Sequence, residues 1–191
     1  MANFEGSKMT LNVKERGTYV ATFRWIEVRL MEMLGAWVPS TPEMEAKLVF
    51  GAHIWDVAQH ADSFGKRTHE LRLPLQHSIE PAADYVGFLA DIAATSDTSK
   101  RVAAFYECVL PAQDRMFREY LTRVDPLLDG PTVRILERIV IDLARMIGEG
   151  HALCEEVPAL KLADRAWLDG LRGRERSLAV VALDRPVDAA A

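Results

Sequence analysis

Two five-residue stretches of the chain read almost alike: Asp56-Val57-Ala58-Gln59-His60 and Asp142-Leu143-Ala144-Arg145-Met146. Each falls late in a stretch of helical periodicity, and each is preceded by a helix with a Glu flanked by apolar residues, Glu27 and Glu107. Carboxylates and an imidazole kept in an apolar interior can do two kinds of chemistry. They can ligate a metal ion, or they can move protons with pKa values displaced by burial and by one another. Phe50, His53, Val57, His60 and Phe64 recur every three or four residues and share one helix face, so His53 lies on the same inward stripe as His60. At 1.5 Å of rise per residue the two histidines stand about 10 Å apart along the axis, too far for one ion. A single-metal site would therefore use Glu27, His60 and Glu107. The same three are the candidate catalytic residues of a metal-free acid–base site. His53, Asp56, Val57, Glu137, Leu143 and Met146 are the candidate lining of a pocket around them. The plainer alternative makes Glu27 and Glu107 core carboxylates satisfied by Arg24, Tyr106 or His60, His53 a packed core residue, and Glu137 the partner of Arg134 or Arg138.

The elements that would position these residues are all helical. Apolar spacing predicts a first helix over 18–34, stopped by Gly35 and Pro39, and a second capped by Ser40 or Thr41, with Pro42 in its first turn, running to Arg72. A short helix over 82–94 and a polar stretch, 95–100, separate these from a third helix, 101–123. Pro111 within it crowds the Glu107 carbonyl and predicts a kink. A fourth helix over 132–153 follows Asp129-Gly130-Pro131, and a weaker one over 160–171 follows that. Residues 1–17 are read as an N-terminal extension, 18–171 as one domain, and 172–191 as a loose tail whose apolar run 178–183 could pack as an arm. Gly148 and Gly150 suggest close helix contact near the end of the fourth helix. Trp25, Trp37, Trp55 and Trp167 suit core packing or an oligomer contact.

Composition bounds the function. The 191 residues carry a formal charge of -5 with both signs interspersed and no basic stripe, which argues against nucleic acid as a partner. No apolar run reaches membrane-spanning length, so no membrane partner is expected. The polar start lacks the apolar core of a secretory signal, and Cys108 and Cys154 have no paired spacing; both fit reduced thiols and a cytoplasmic location. A homodimer through an exposed aromatic helix face and a small-molecule ligand are the partners expected.

Helix order, spacing and the paired Asp-x-Ala-x-(His or Met) motifs together make residues 18–153 resemble the ferritin-like superfamily of di-iron carboxylate proteins. That resemblance implies an all-α, four-helix bundle of two helix hairpins joined by one long crossover, with short extra helices. It also implies a ligand pattern of Glu followed by Glu-x-x-His, used twice. Glu27 and Glu107 match the lone glutamates, at 30 and 36 positions before Val57 and Leu143, and His60 matches the first histidine. Val57, Leu143 and Met146 depart from it. Hydrocarbon supplies no bridging oxygen and a thioether is a poor ligand for a hard oxygen-rich site, so a conventional di-iron centre is not expected. The expected function is a ferritin-like small-molecule enzyme that uses a central acidic and histidine pocket, with no metal or a single ion. The alternative is a non-catalytic binding or scaffold protein with a degenerate metal site.

Overall fold

The structure is a computed structural model that describes residues 10–184. It is all-helical, with no strand among the described residues. The first helix, α1, spans Val13–Ser40, longer at both ends than the periodicity indicates. Its start is set by a capping box: the Asn12 side chain accepts from Glu15 N at 3.0 Å, and Glu15 reaches back to Asn12 N at 2.7 Å. Residues 13–17 thus belong to the helix and not to an extension, and Arg16 is buried there. Gly35 does not break the helix, and Pro39 is accommodated in its last turn. Thr41 closes that turn by donating to the Trp37 carbonyl at 2.9 Å, so it finishes α1 and does not cap the next helix.

Helix α2 spans Met44–Glu70 with Glu43 at its N-cap, and Pro42 precedes it. It runs antiparallel to α1: Trp37 meets Phe50, Glu27 meets His60, and Phe23 meets Phe64. After a turn in which Arg72 and Gln76 take left-handed φ values, the chain climbs back along α1. Ile79 N bonds to Ala21 O, and helix α3, Ala83–Ala93, ends where the Trp37 indole donates to the Ala93 carbonyl at 3.0 Å. This connection returns the chain to the end of α1 from which α2 departed.

The third long helix then descends. It comprises α4, Thr98–Ala104, a π-turn over Phe105–Val109, and α5, Leu110–Arg123. Asp97 caps it by accepting from Lys100 N. It is antiparallel to α1, with Arg101 beside Trp37, Gln113 beside Glu27, Phe117 beside Phe23 and Tyr120 beside Tyr19. Helix α6, Gly130–Glu156, forms a hairpin with it and lies antiparallel to α2, from Arg67 against Thr132 to His53 against Glu149. Pro131 sits in its first turn, where the missing N–H costs nothing.

Beyond α6, a 3₁₀ turn, Pro158–Leu162, leads to α7, Arg165–Arg176. The weak helix therefore lies a few residues later than expected, and 172–176 is helical where a loose tail was expected. The apolar run that follows does pack: Val181 is buried and Ala82 N bonds to Val180 O. Residues 1–9 and 185–191, the ends of the expected extension and tail, lie outside the described residues. Among the described residues no helix is long and apolar enough to cross a membrane.

The core is layered along the axis. Phe23, Phe64 and Phe117 form a cluster of two tilted ring pairs and one edge-on pair, with centroids 5.0–5.8 Å apart. Such aromatic pairs contribute about 0.5–1.5 kcal/mol each beyond burial alone. Below them Asp129 anchors a buried polar layer. It pairs with Arg67 at 2.7 Å and accepts from Thr132 at 2.6 Å and Tyr120 at 2.7 Å. The candidate site lies directly above the aromatic layer. Trp37 belongs to the core, whereas Trp55 stands exposed on α2.

Candidate functional site

Three helices bring one polar cluster into the apolar centre. Glu27 on α1 is fully buried, His60 on α2 is 3% exposed, and Gln113 on α5 is 1% exposed. The Gln113 amide donates to Glu27 Oε1 at 3.0 Å, which fixes the carboxylate and leaves its second oxygen free. That oxygen, Glu27 Oε2, lies 3.6 Å from His60 Nδ1, beyond hydrogen-bond reach. Glu27 Oε2, His60 Nδ1 and Gln113 Oε1 are all buried without a hydrogen-bond partner. Native interiors leave few such atoms, and each asks for an explanation.

On its other side His60 Nε2 contacts Asp142 Oδ2 of α6 at 3.3 Å. Burial alone would pull the imidazole pKa down, but its contacts with Glu27 and Asp142 outweigh burial and raise it above the ordinary value. Asp142 is part-exposed, so a chain of polar groups runs from the buried Glu27 through His60 to the surface. Arg145 holds the outer end of this seam, binding Asp56 and Glu149 at 2.9 Å each and approaching Asp142 at 3.9 Å.

His53, two turns away on the same stripe, makes a parallel bridge with the opposite electrostatic outcome. Its Nδ1 meets the Tyr106 hydroxyl at 2.8 Å and its Nε2 meets Glu149 at 2.6 Å. Burial outweighs the pull of Glu149 and lowers its pKa. The two histidines share no side-chain partner.

Glu107 departs from expectation. It sits in the π-turn, and its carboxylate turns outward to Arg165 at 2.8 Å and Arg172 at 3.0 Å of α7. Pro111 explains the local backbone. It lacks the N–H that would bond to the Glu107 carbonyl, and Arg172 Nε occupies that carbonyl instead at 2.9 Å. The predicted kink is thus a π-turn, a feature frequent at functional sites. Glu107 and His151 line two adjoining clefts of about 640 and 480 Å³ against α7, away from Glu27.

Gln113 takes the place expected of Glu107, and the sequence carried a signal for it. Leu143 and Met146 lie 30 and 33 positions after Gln113, as Val57 and His60 lie 30 and 33 after Glu27. The unequal spacing from Glu107 marked it as the wrong counterpart. Val57, Leu143 and Met146 are buried in the core, as the inward stripe requires. Glu137 instead projects from the exposed face of α6 and forms no ion pair with Arg134 or Arg138 among the described residues. Asp56 is half-buried and engaged by Arg145. Cys108 and Cys154 are free thiols.

A pair of metal ions does not fit this cluster. Its centre offers one carboxylate, one imidazole and one neutral amide, and hydrocarbon and a thioether occupy the other positions. Among the described residues no group of three or more His, Cys, Asp or Glu side chains is arranged to hold a metal ion. No protein-family model, curated protein or solved structure matches the chain. Its class is the one its own architecture defines: an all-α protein with a buried carboxylate–imidazole–amide cluster wired to the surface.

Proposed function

We propose that this chain is a ferritin-like small-molecule enzyme without a conventional di-iron centre, whose Glu27–His60 pair moves a proton to or from a small guest held beside Gln113. The observation that carries the reading is a group of three buried polar atoms without a hydrogen bond, Gln113 Oε1 and the facing pair Glu27 Oε2 and His60 Nδ1 at 3.6 Å. A guest with one acceptor and two donor positions would satisfy all three. Gln113 holds one Glu27 oxygen, leaving the other as the proton acceptor, and His60 with Asp142 passes the proton to the surface. Helix directions and the return connection along α1 support the ferritin-like assignment, and the loss of metal-ligand oxygens at Val57 and Leu143 supports acid–base chemistry in place of oxygen activation.

The scaffold reading is favoured by a different observation: neither the clefts at α7 nor the groove over His60 is lined by Glu27. One experiment separates the two. Wild type, Glu27→Gln and His60→Gln are screened for turnover of small molecules with exchangeable protons, alongside thermal melting and metal analysis. The enzyme reading expects turnover that both variants lose while remaining folded. Variants that only lower the melting temperature, with no turnover by wild type, return the chain to a scaffold. Two iron atoms per chain would overturn the reading of Val57 and Leu143.

A further inference from the structure

A narrow groove of about 180 Å³ runs along the α2–α6 seam directly over His60. Helix α6 contributes Arg134 and Arg138, and helix α2 contributes Gln59 and Ser63, so two residue pairs at four-residue spacing face one another. Ile135 and Ile139 complete the walls, and no carboxylate lines the groove. Arg134 and Arg138 make no ion pair or hydrogen bond among the described residues. The contrast with Arg145, seven residues after Arg138 on the same helix, is sharp, since that guanidinium contacts Asp56, Asp142 and Glu149. Two like charges four apart on a helix repel unless an anion lies between them. Both guanidiniums are exposed, so their hold on an anion is screened by salt and is strongest at low ionic strength.

We infer that this groove is the binding subsite for a compact oxyanion, a small carboxylate or phosphate, gripped by Arg134 and Arg138 beside His60. Guanidinium forks match the geometry of both anions. Gln59 and Ser63 offer an amide and a hydroxyl on the opposite wall, although the Ser63 hydroxyl already donates to the Gln59 carbonyl at 2.8 Å and so presents its lone pairs first. The small volume limits the guest to a few heavy atoms beyond the anionic group, and the two isoleucines suit a short hydrocarbon chain. The inference rests on the acid–base reading, because the groove meets Glu27 only through His60. It adds the chemical class of what meets the outer side of that pair: a small anion held in the groove beside His60, whose lining includes neither Glu27 nor Gln113.

The test titrates the full chain, labelled at His and Ile, with inorganic phosphate and separately with butyrate, following the resonances of His60, Ile135 and Ile139 at low ionic strength. Saturable shifts confined to those residues are expected. The Arg134→Gln/Arg138→Gln double variant should weaken binding about tenfold or more without a lower melting temperature. Tighter binding of butyrate than of phosphate marks the groove as a carboxylate site, and the reverse marks it as a phosphate site. Absence of saturation by either probe, or equal affinity in the double variant, overturns the assignment. Binding that survives Glu27→Gln but not the arginine substitutions keeps the groove as an anion site even where the acid–base reading fails.

Discussion

Gly148 and Gly150 lie one residue apart on α6, and replacing each with alanine should move stability in opposite directions. Gly148 is exposed, and a Cβ built there meets nothing within 4 Å. Alanine at an unobstructed helical position stabilises by about 0.5–1 kcal/mol, because it loses less backbone freedom on folding. At Gly150 the same Cβ would stand 2.5 Å from Cδ1 and 2.6 Å from Cδ2 of Tyr106, well inside van der Waals contact. That ring has little room to yield. It lies edge-on to Phe105 with centroids 5.0 Å apart, it packs on Phe50 and His53, and its hydroxyl holds His53 Nδ1 at 2.8 Å. Forcing a methyl into such packing costs about 1–3 kcal/mol, and loosening the Tyr106–His53 hydrogen bond costs about 1 kcal/mol more. The helix-propensity gain of about 1 kcal/mol offsets only part of this, so the two variants should differ by about 2–4 kcal/mol. For a chain of this size that separates their melting temperatures by roughly 5–15 °C. Urea denaturation followed by far-ultraviolet circular dichroism measures both. If the two variants shift stability the same way and by similar amounts, the Tyr106–Gly150 contact, and with it the placement of His53, is wrong.

Two further outcomes follow from the polar interior. Asp129→Ala would leave the buried Arg67 guanidinium without its main partner and strip Tyr120 and Thr132 of theirs, so a loss of about 3–5 kcal/mol in chemical denaturation is expected; a loss below about 1 kcal/mol would contradict the buried pair. The histidines should give a pH signature of opposite signs. His60 has its folded-state pKa raised above the ordinary 6.5, so its stabilisation is fully present below pH 6.5 and is lost as the pH rises through the raised value. His53 has its pKa lowered from 6.5, so its contribution is intact above pH 6.5 and declines as the pH falls toward the lowered value. Denaturation across this range should show the alkaline-side decline vanish in His60→Gln while the acid-side decline remains; an unchanged alkaline slope would show that His60 is not held between Glu27 and Asp142.

Much of the architecture was legible in the chain because helical periodicity is a local property. The inward stripe Phe50–His53–Val57–His60–Phe64 follows from spacing alone, and the structure buries every member of it. Helix limits were less legible where a cap or a proline acts through hydrogen bonds outside the apolar pattern, as at Asn12 and Thr41. The spacing of Glu107 from Leu143, 36 positions against the 30 between Glu27 and Val57, already argued against it as a counterpart, but its outward turn to α7 depends on the π-turn beside Pro111, which no periodicity marks. Gln113 is marked in the chain only by its spacing from Leu143 and Met146, since a neutral amide is not itself an acid–base group.

What the amino-acid sequence determined by itself is the set of helices and the apolar inward positions of Val57, Leu143 and Met146, since each depends on residue type and short-range spacing. Tertiary structure decided which polar groups meet. Glu27 found Gln113 and not Glu107, His60 was bridged to Asp142 and His53 to Glu149, because these pairings depend on the rotation and relative height of helices far apart in the chain. Burial then divided the histidines: Glu27 and Asp142 outweigh desolvation at His60, whereas at His53 Glu149 and the more distant Asp56, opposed by Arg145, do not.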